Sequence, residues 1–347
     1  MAHVHAGDGS TLASPMRTTT TQAALRVPAA RVLAVEIGGT KMCIGVTDNG
    51  LPRTARDDTP NYLDHPHCSA DELLRRMLER IAAAAERLEA RQPDVIVVAW
   101  PGPVDEGVAL RSPTILGPAL DRRFDVRSAF AGRFPGATVH VMNNLTAAGY
   151  HFVGQGMTDF CIVTVASGIG NKVFLGGAPQ VGRGGFGGEI GHLKLTPSPA
   201  SPISMHVSEL GSLASSRGTM WLDQAWDGGV LRATAVDSVD NDDFVAAFRM
   251  GERRAVRVVQ AAAWPLAVAL GALHLGIGLE KFLIVGGFAK ALGERYRRLL
   301  ARLCREVTWD VGQDWNAMVT LGRAGIDEGL AGALHFGEQH ALVRLPS

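Results

Sequence analysis

Three short apolar runs, each ending on a glycine turn, constrain this chain more than any other feature of its sequence. Val32, Leu33, Val35 and Ile37 lead into Gly38-Gly39-Thr40-Lys41, Phe160 to Val165 into Ser167-Gly168-Ile169-Gly170, and Phe282-Leu283-Ile284-Val285 into Gly286-Gly287. Runs this short, rich in β-branched and aromatic residues, read as strands. Strand, glycine turn and helix in alternation describe an α/β layout. In such sheets a ligand lies beyond the carboxyl ends of the strands, where these turns fall.

The segments between them fit that layout. Met42 to Val46 is a second apolar segment running into Asp48-Asn49-Gly50, a hairpin signature. A helix is expected over Ser69 to Arg91, where Ser69 and Glu72 have capping-box spacing and Leu74, Met77, Ile81, Ala85 and Leu88 keep a helical stripe. Pro93 hands over to Val95-Ile96-Val97-Val98, apolar on both faces and so central in a covered sheet. Val139 to Met142 is a further strand, running into Asn143-Asn144 and an Ala-rich helix. With 347 residues, against about 150 for an ordinary domain, two lobes are expected. They are placed at 31–145 and 146–347, with the last helix packing back on the first lobe. Residues 1–30 are rich in Ser, Thr and Ala without an apolar signal segment and read as a disordered extension.

Composition bounds the partners. Lys plus Arg and Asp plus Glu are both 34, so no net field exists to hold a phosphate backbone or an anionic membrane, and neither is expected as a partner. Cys43, Cys68, Cys161 and Cys304 are far apart and form no C-x-x-C pair. That writes neither a disulfide framework nor a zinc ribbon, and suits a reducing cytoplasm. Ala261 to Leu279 is uncharged and long enough to span a bilayer, but its Ala/Gly content, Pro265 and His274 make a buried helix the better reading. Glycine is the outlier at 41 of 347 residues, where about 7% is usual. The backbone must turn tightly or approach something closely at many points.

The chemistry belongs at those turns. Gly38-Gly39-Thr40-Lys41 gathers backbone N–H groups, a hydroxyl and a lysine, a set that suits a phosphate. Alone, a Gly-Gly pair in a hairpin is more often only a turn; three such turns, each after a strand, favour a nucleotide. Ser167, Gly168 and Gly170 can do the same from the second lobe, and Gly286-Gly287 let a nucleotide lie close against a helix start. The first turn is neither G-x-x-x-x-G-K-[ST] nor G-x-G-x-x-G, so nucleotide binding uses another scaffold.

Val35-Glu36-Ile37-Gly38-Gly39-Thr40-Lys41 resembles the first phosphate motif of the ROK family (repressors, open reading frames and kinases), in the hexokinase and actin-like superfamily. Further matches follow in family order. Pro101-Gly102-Pro103-Val104-Asp105 is similar to its P-G-P-V-D segment, Ser112-Pro113 to its S-P turn, and Asn143-Asn144-Leu145-Thr146-Ala147-Ala148 to its N-D-x-x-A-A segment. Gly188-Glu189-Ile190-Gly191-His192 resembles its G-E-I-G-H signature, Ile284-Val285-Gly286-Gly287 its adenosine motif, and Gly325 to Ala333 its C-terminal helix.

The resemblance covers about residues 32 to 337. It implies a two-lobe, ribonuclease-H-like (actin/hexokinase-like) α/β fold with a ligand cleft between the lobes. It also implies ATP and Mg²⁺ as cofactors, a polyol acceptor and a homodimer. Phosphoryl transfer of this kind is mostly positioning and electrostatics, with a carboxylate taking the hydroxyl proton. Carried over by position, Asn143, Glu189 and His192 bind substrate hydroxyls, which need oriented donors and acceptors. Gly38, Gly39, Thr40, Lys41, Ser167, Gly168, Gly170, Gly286 and Gly287 face the nucleotide.

Departures from the family pattern matter as much. Where the family carries its catalytic aspartate this chain has Asn144, nearly isosteric but unable to accept a proton or carry charge. Losing a general base costs about 10² to 10⁴ in rate. The other reading of Asn144 is a helix N-cap. Glu36 stands where the family has Asp, one methylene longer at a place that addresses the metal and its waters. Between His192 and Gly218 there is no cysteine, so the family's zinc site is absent. A family glutamate that contacts the sugar is expected near Gly211; this chain has Glu209 two places earlier.

Thr164 to Phe174 is unlike the glycine-rich run of glucokinases and is similar to the C7-cyclitol kinases of aminocyclitol antibiotic pathways. Within it Lys172 can place a cation near the transferring phosphate; its other reading is a solvent-facing lysine after a turn. The leading expectation is a kinase acting on a sugar or C7-cyclitol with ATP. Its competitors are a catalytically silent sugar or nucleotide binder acting as a sensor or partner, and a changed reaction in the same cleft. A repressor is disfavoured, because thirty unpatterned residues make no helix-turn-helix.

Overall fold

The structure, a computed structural model, describes residues 30–48, 51–117, 123–166, 169–192, 241–323, 325 and 327–342. Residues 1–29 of the expected N-terminal extension, Ser167, Gly168, Glu209 and the His192 side chain lie outside the described residues.

β1 (Val32–Ile37) and β2 (Lys41–Asp48) form the first hairpin, and β2 pairs antiparallel with β3 (Leu51–Asp58). α1 (Ala70–Arg87) starts where Ser69 Oγ accepts the Glu72 amide at 3.2 Å. The Glu72 carboxylate turns to Arg75 and Arg76 instead of completing the capping box. Leu73 leads the buried face with Met77, Ile81, Ala84 and Ala85, while the expected Leu74 is only half-buried. The helix stops short of Arg91 because Glu89 takes a left-handed conformation (φ 57) and Ala90 N–H closes back on the Ala85 carbonyl at 2.8 Å.

β4 (Val95–Trp100) is buried throughout and runs parallel to β1. β5 (Val104–Asp105), β6 (Val108–Ala109), α2 (Pro113–Leu116) and β7 (Phe124–Asp125) follow, the three strands making a small sheet of their own. α3 (Val126–Arg133) then leads to β8 (Thr138–Asn143), parallel to β4, and to α4 (Asn144–Val153). The first sheet has the order β3-β2-β1-β4-β8.

The second half repeats this plan. β9 (Phe160–Val165) and β10 (Ile169–Leu175) form a hairpin edged by β11 (Ala178–Pro179). After α5 (Asn241–Met250) and α6 (Arg253–Ile277), β12 (Phe282–Val285) joins β9 in parallel. α7 (Gly287–Leu292), α8 (Glu294–Val307) and α9 (Trp315–Met318) precede β13 (Val319–Leu321), giving the order β11-β10-β9-β12-β13. The long uncharged stretch lies in α6. That helix is apolar enough to cross a bilayer by length and composition, yet Val258, Val259, Ala263, Leu266 and Leu270 are buried in one cluster with Phe282, Tyr296 and Trp315.

α10 (Glu328–Leu342) crosses back to the first sheet, setting Leu330 against Gly45 and Gly337 against Val32 and Val97. It meets α4 at Gly332, where a Cβ would lie 1.8 Å from the Ala147 carbonyl oxygen. Only glycine permits that crossing. α4 in turn packs Leu145, Ala148 and Phe152 on Phe160 and Phe174 of the second sheet. These two helices therefore join both sheets.

Candidate active site

β4 and β8 are parallel neighbours, so their carboxyl ends deliver Pro101-Gly102-Pro103 and Asn143-Asn144 to the same edge. Asn143 is the N-cap of α4: its Oδ1 accepts the Leu145 N–H at 2.9 Å, and its Nδ2 donates to the Gly102 carbonyl at 2.9 Å. One amide thus starts the helix and locks the adjacent turn. Asn144 is the first helical residue rather than the cap, because β8 ends at Asn143; its own Oδ1 also accepts the Leu145 N–H at 2.9 Å. Ser112 ties down the other side, taking the Trp100 indole N–H and donating to the Pro101 carbonyl. From the second half, Gly185 comes against the Val104 carbonyl, bringing the segment that leads to Glu189 up to β5.

Glu189 is half-buried just before a single 3-10 turn, Ile190–His192. Facing it is Lys172 on β10, only 2% exposed. Its Nζ donates to the Gly187 carbonyl. Lys172 is therefore buried, not solvent-facing. Burial pulls the amine below its ordinary pKa and the Glu189 charge opposes that pull.

The other side of the site is built on the first hairpin. Gly38 N–H donates to the Lys41 carbonyl at 2.9 Å, closing the turn, and the Lys41 ammonium pairs with Asp58 across the β2–β3 ladder. A cavity of about 290 Å³ opens beside this turn, lined by Thr40, Lys41, Asp58, Thr59, His65 and Arg80. Near the end of β1, Glu36 lies against Gly329 in the first turn of α10. One ligand atom each of Glu36, Cys43 and Asp327 lies within 4.8 Å of the others. Asp327 caps α10, its Oδ1 accepting the Leu330 N–H at 3.0 Å. Burial and then the Asp327 charge push the Glu36 carboxyl up to about 8, with Arg56 opposing. Burial, then the hydrogen bond to Asp327, pushes the Cys43 thiol up to about 12. Two carboxylates so placed fit a hard divalent cation through oxygen; the protonated thiol is no ligand for one.

Gly286, at φ +97, sits so close to the end of β9 that a Cβ would lie 2.6 Å from the Val165 carbonyl oxygen. It opens α7, whose Lys290 reaches across to Glu328 of α10 at 2.6 and 2.7 Å. The structure thus brings Asn143 to the Pro101–Pro103 turn and Lys172 to Glu189, and directs Lys41 to Asp58. Sequence reasoning missed Cys43, Asp327 and the Lys290–Glu328 pair. The one signal was the Asp327-Glu328 doublet at a helix start.

The model of the ROK family matches residues 32–339. The chain belongs to the ROK family. Over 327 residues, 88% of each chain, this ROK protein is 30% identical to C(7)-cyclitol 7-kinase of Streptomyces hygroscopicus subsp. jinggangensis. Among solved structures it resembles the ROK hexokinase from Thermus thermophilus, with a TM-score of 0.66 and 26% identity over 90% of this chain and 99% of that one. A ROK family glucokinase from Streptomyces griseus, in complex with glucose and AMPPNP, shares the fold at a TM-score of 0.67 and 23% identity, over 89% and 99% of the two chains. The architecture is the actin/hexokinase-like fold of the ROK sugar kinases. These relatives support carbohydrate kinase activity.

Proposed function

We propose that this ROK protein is an ATP-dependent phosphotransferase acting on a hydroxyl of a C7-cyclitol or related sugar, in the cytoplasm and as a homodimer. The observation that carries this reading is the 30% identity to C(7)-cyclitol 7-kinase across 88% of both chains. Asn143, Glu189 and His192 bind acceptor hydroxyls. The turns at Gly38–Lys41 and Ser167–Gly170 face the phosphates, and Gly286-Gly287 face the adenosine. Glu36 and Asp327 would hold Mg²⁺, which when bound neutralises charge on the phosphates. Cys43 keeps its proton and steadies Asp327.

Asn144 cannot take the hydroxyl proton. Transfer of this type depends chiefly on positioning and electrostatics, so the retained frame supports turnover at a reduced rate. The same residue favours a second reading, a catalytically silent protein that binds sugar or nucleotide. The test is ADP release by the purified protein with ATP, Mg²⁺ and a panel of C7-cyclitols, N-acetylmannosamine and glucose, beside Asn144→Asp. ADP release by the native chain with a cyclitol supports the kinase. ATP binding with transfer only in the variant supports the silent binder, and absence of ATP binding by calorimetry removes both nucleotide-dependent readings.

A further inference from the structure

A lysine buried to 2% exposure needs a carbonyl or an anion beside its ammonium, or it gives up its proton. Lys172 is met by one segment: the Gly187 carbonyl accepts its Nζ, and the charge of Glu189, two residues on, favours the ammonium. Its neighbour on β10, Asn171, also 2% exposed, holds the same segment. The Asn171 N–H donates to the Gly188 carbonyl at 3.1 Å, and its Oδ1 accepts the Ile190 N–H at 3.2 Å. The segment lies directly on the strand. At Gly188 (φ +88) a Cβ would come 2.2 Å from the Asn171 carbonyl oxygen and 3.0 Å from Lys172 Nζ. Gly187, Gly188 and Ile190, on both sides of Glu189, are thus held by two adjacent residues of β10.

We propose that Asn171 and Lys172 form a clasp that fixes Glu189 as an ionised hydrogen-bond acceptor, making Lys172 a positioning residue that selects neutral hydroxyl acceptors over cationic amino ones. The inference rests on the reading of Glu189 as a ligand of acceptor hydroxyls. A bare carboxylate at that place attracts an ammonium group on a sugar. With the Lys172 charge near it, the pull of that carboxylate on a cation is weakened, and an amino acceptor gains less over a hydroxyl that donates to Glu189.

The ligand-free protein tests the electrostatic half. In ¹³C-carboxyl NMR of glutamate-labelled protein, with the Glu189 signal assigned by its loss in Glu189→Gln, Lys172→Met is expected to move the Glu189 titration midpoint upward by about one pH unit. Met matches the buried stem in shape, and replacing a buried charge by an apolar side chain is often tolerated. If Met unfolds the chain, Lys172→Gln carries the same test. An unchanged midpoint in a folded variant overturns the clasp. This titration needs neither ligand nor turnover, so its failure is separate from failure of the kinase reading. The selectivity half compares kcat/KM for glucose and glucosamine. Lys172→Met is expected to shift the ratio toward glucosamine by about tenfold, the worth of one pH unit, through KM rather than kcat. A ratio unchanged by the substitution overturns the selectivity claim.

Discussion

Each half of this molecule buries a charge cluster, and the two are built in opposite ways. Around the end of β1, Glu36, Cys43 and Asp327 bring two acids and a thiol together with Arg56 as the opposing charge, and Glu36 holds its proton up to about 8. On β10, Lys172 faces Glu189 and donates to Gly187. The first cluster sets two acids against one arginine; the second sets one lysine near one acid. In the proposed kinase that difference assigns their partners: a cation arriving with the nucleotide at the first, a neutral polyol at the second.

Five substitutions, one of them only in a double variant, test this contrast. The largest expected effect is at the Lys290–Glu328 ion pair, whose Glu328 is next in sequence to Asp327 of the first cluster. Lys290 and Glu328 have side chains only 16% and 9% exposed, so Lys290→Met leaves a buried carboxylate unpaired and should cost about 3–5 kcal/mol in denaturant unfolding. The double variant Lys290→Met, Glu328→Leu should recover most of it. Next, Asn144→Asp restores a base and should raise the transfer rate by about 10², read as kcat with the best acceptor.

Third comes the pH dependence of the acid cluster. Glu36 is raised from 4.5 to about 8 in the folded chain. Between those values the folded state holds a proton that the unfolded chain has released, so stability falls as pH rises, with a limiting slope of about 1.4 kcal/mol per pH unit. Urea unfolding at pH 5 and pH 8 should show that fall, and Glu36→Gln should flatten it. The smallest effect is a control at a residue that belongs to neither cluster. Ser69→Ala removes the α1 cap and should cost about 1 kcal/mol, equally at both pH values.

Much of the frame was legible in the sequence because strands buried on both faces leave unbroken apolar runs: β4, β9 and β12 lie where those runs predict. Ser69 was legible as a cap because its partner is three residues away. Leu74 was mistaken for Leu73 because a helical stripe one residue out of phase fits almost as well. Asn144 exchanged the cap role with Asn143 because a strand–helix boundary depends on one residue of ladder pairing, which composition does not show. Lys172 follows a turn and so looks exposed. Its fate is set by tertiary packing of the Gly187–Ile190 segment, beyond the reach of local pattern. Cys43 and Asp327 meet only because α10 crosses back onto the first hairpin.

Phosphoryl transfer from ATP to a polyol can be followed by ³¹P NMR of the native protein with ATP, Mg²⁺ and a C7-cyclitol. The γ-phosphate signal is expected to decay as one phosphomonoester resonance grows, and no such resonance is expected when the cyclitol is omitted. Saturable ATP binding with no ester formed from any cyclitol or sugar would contradict that transfer.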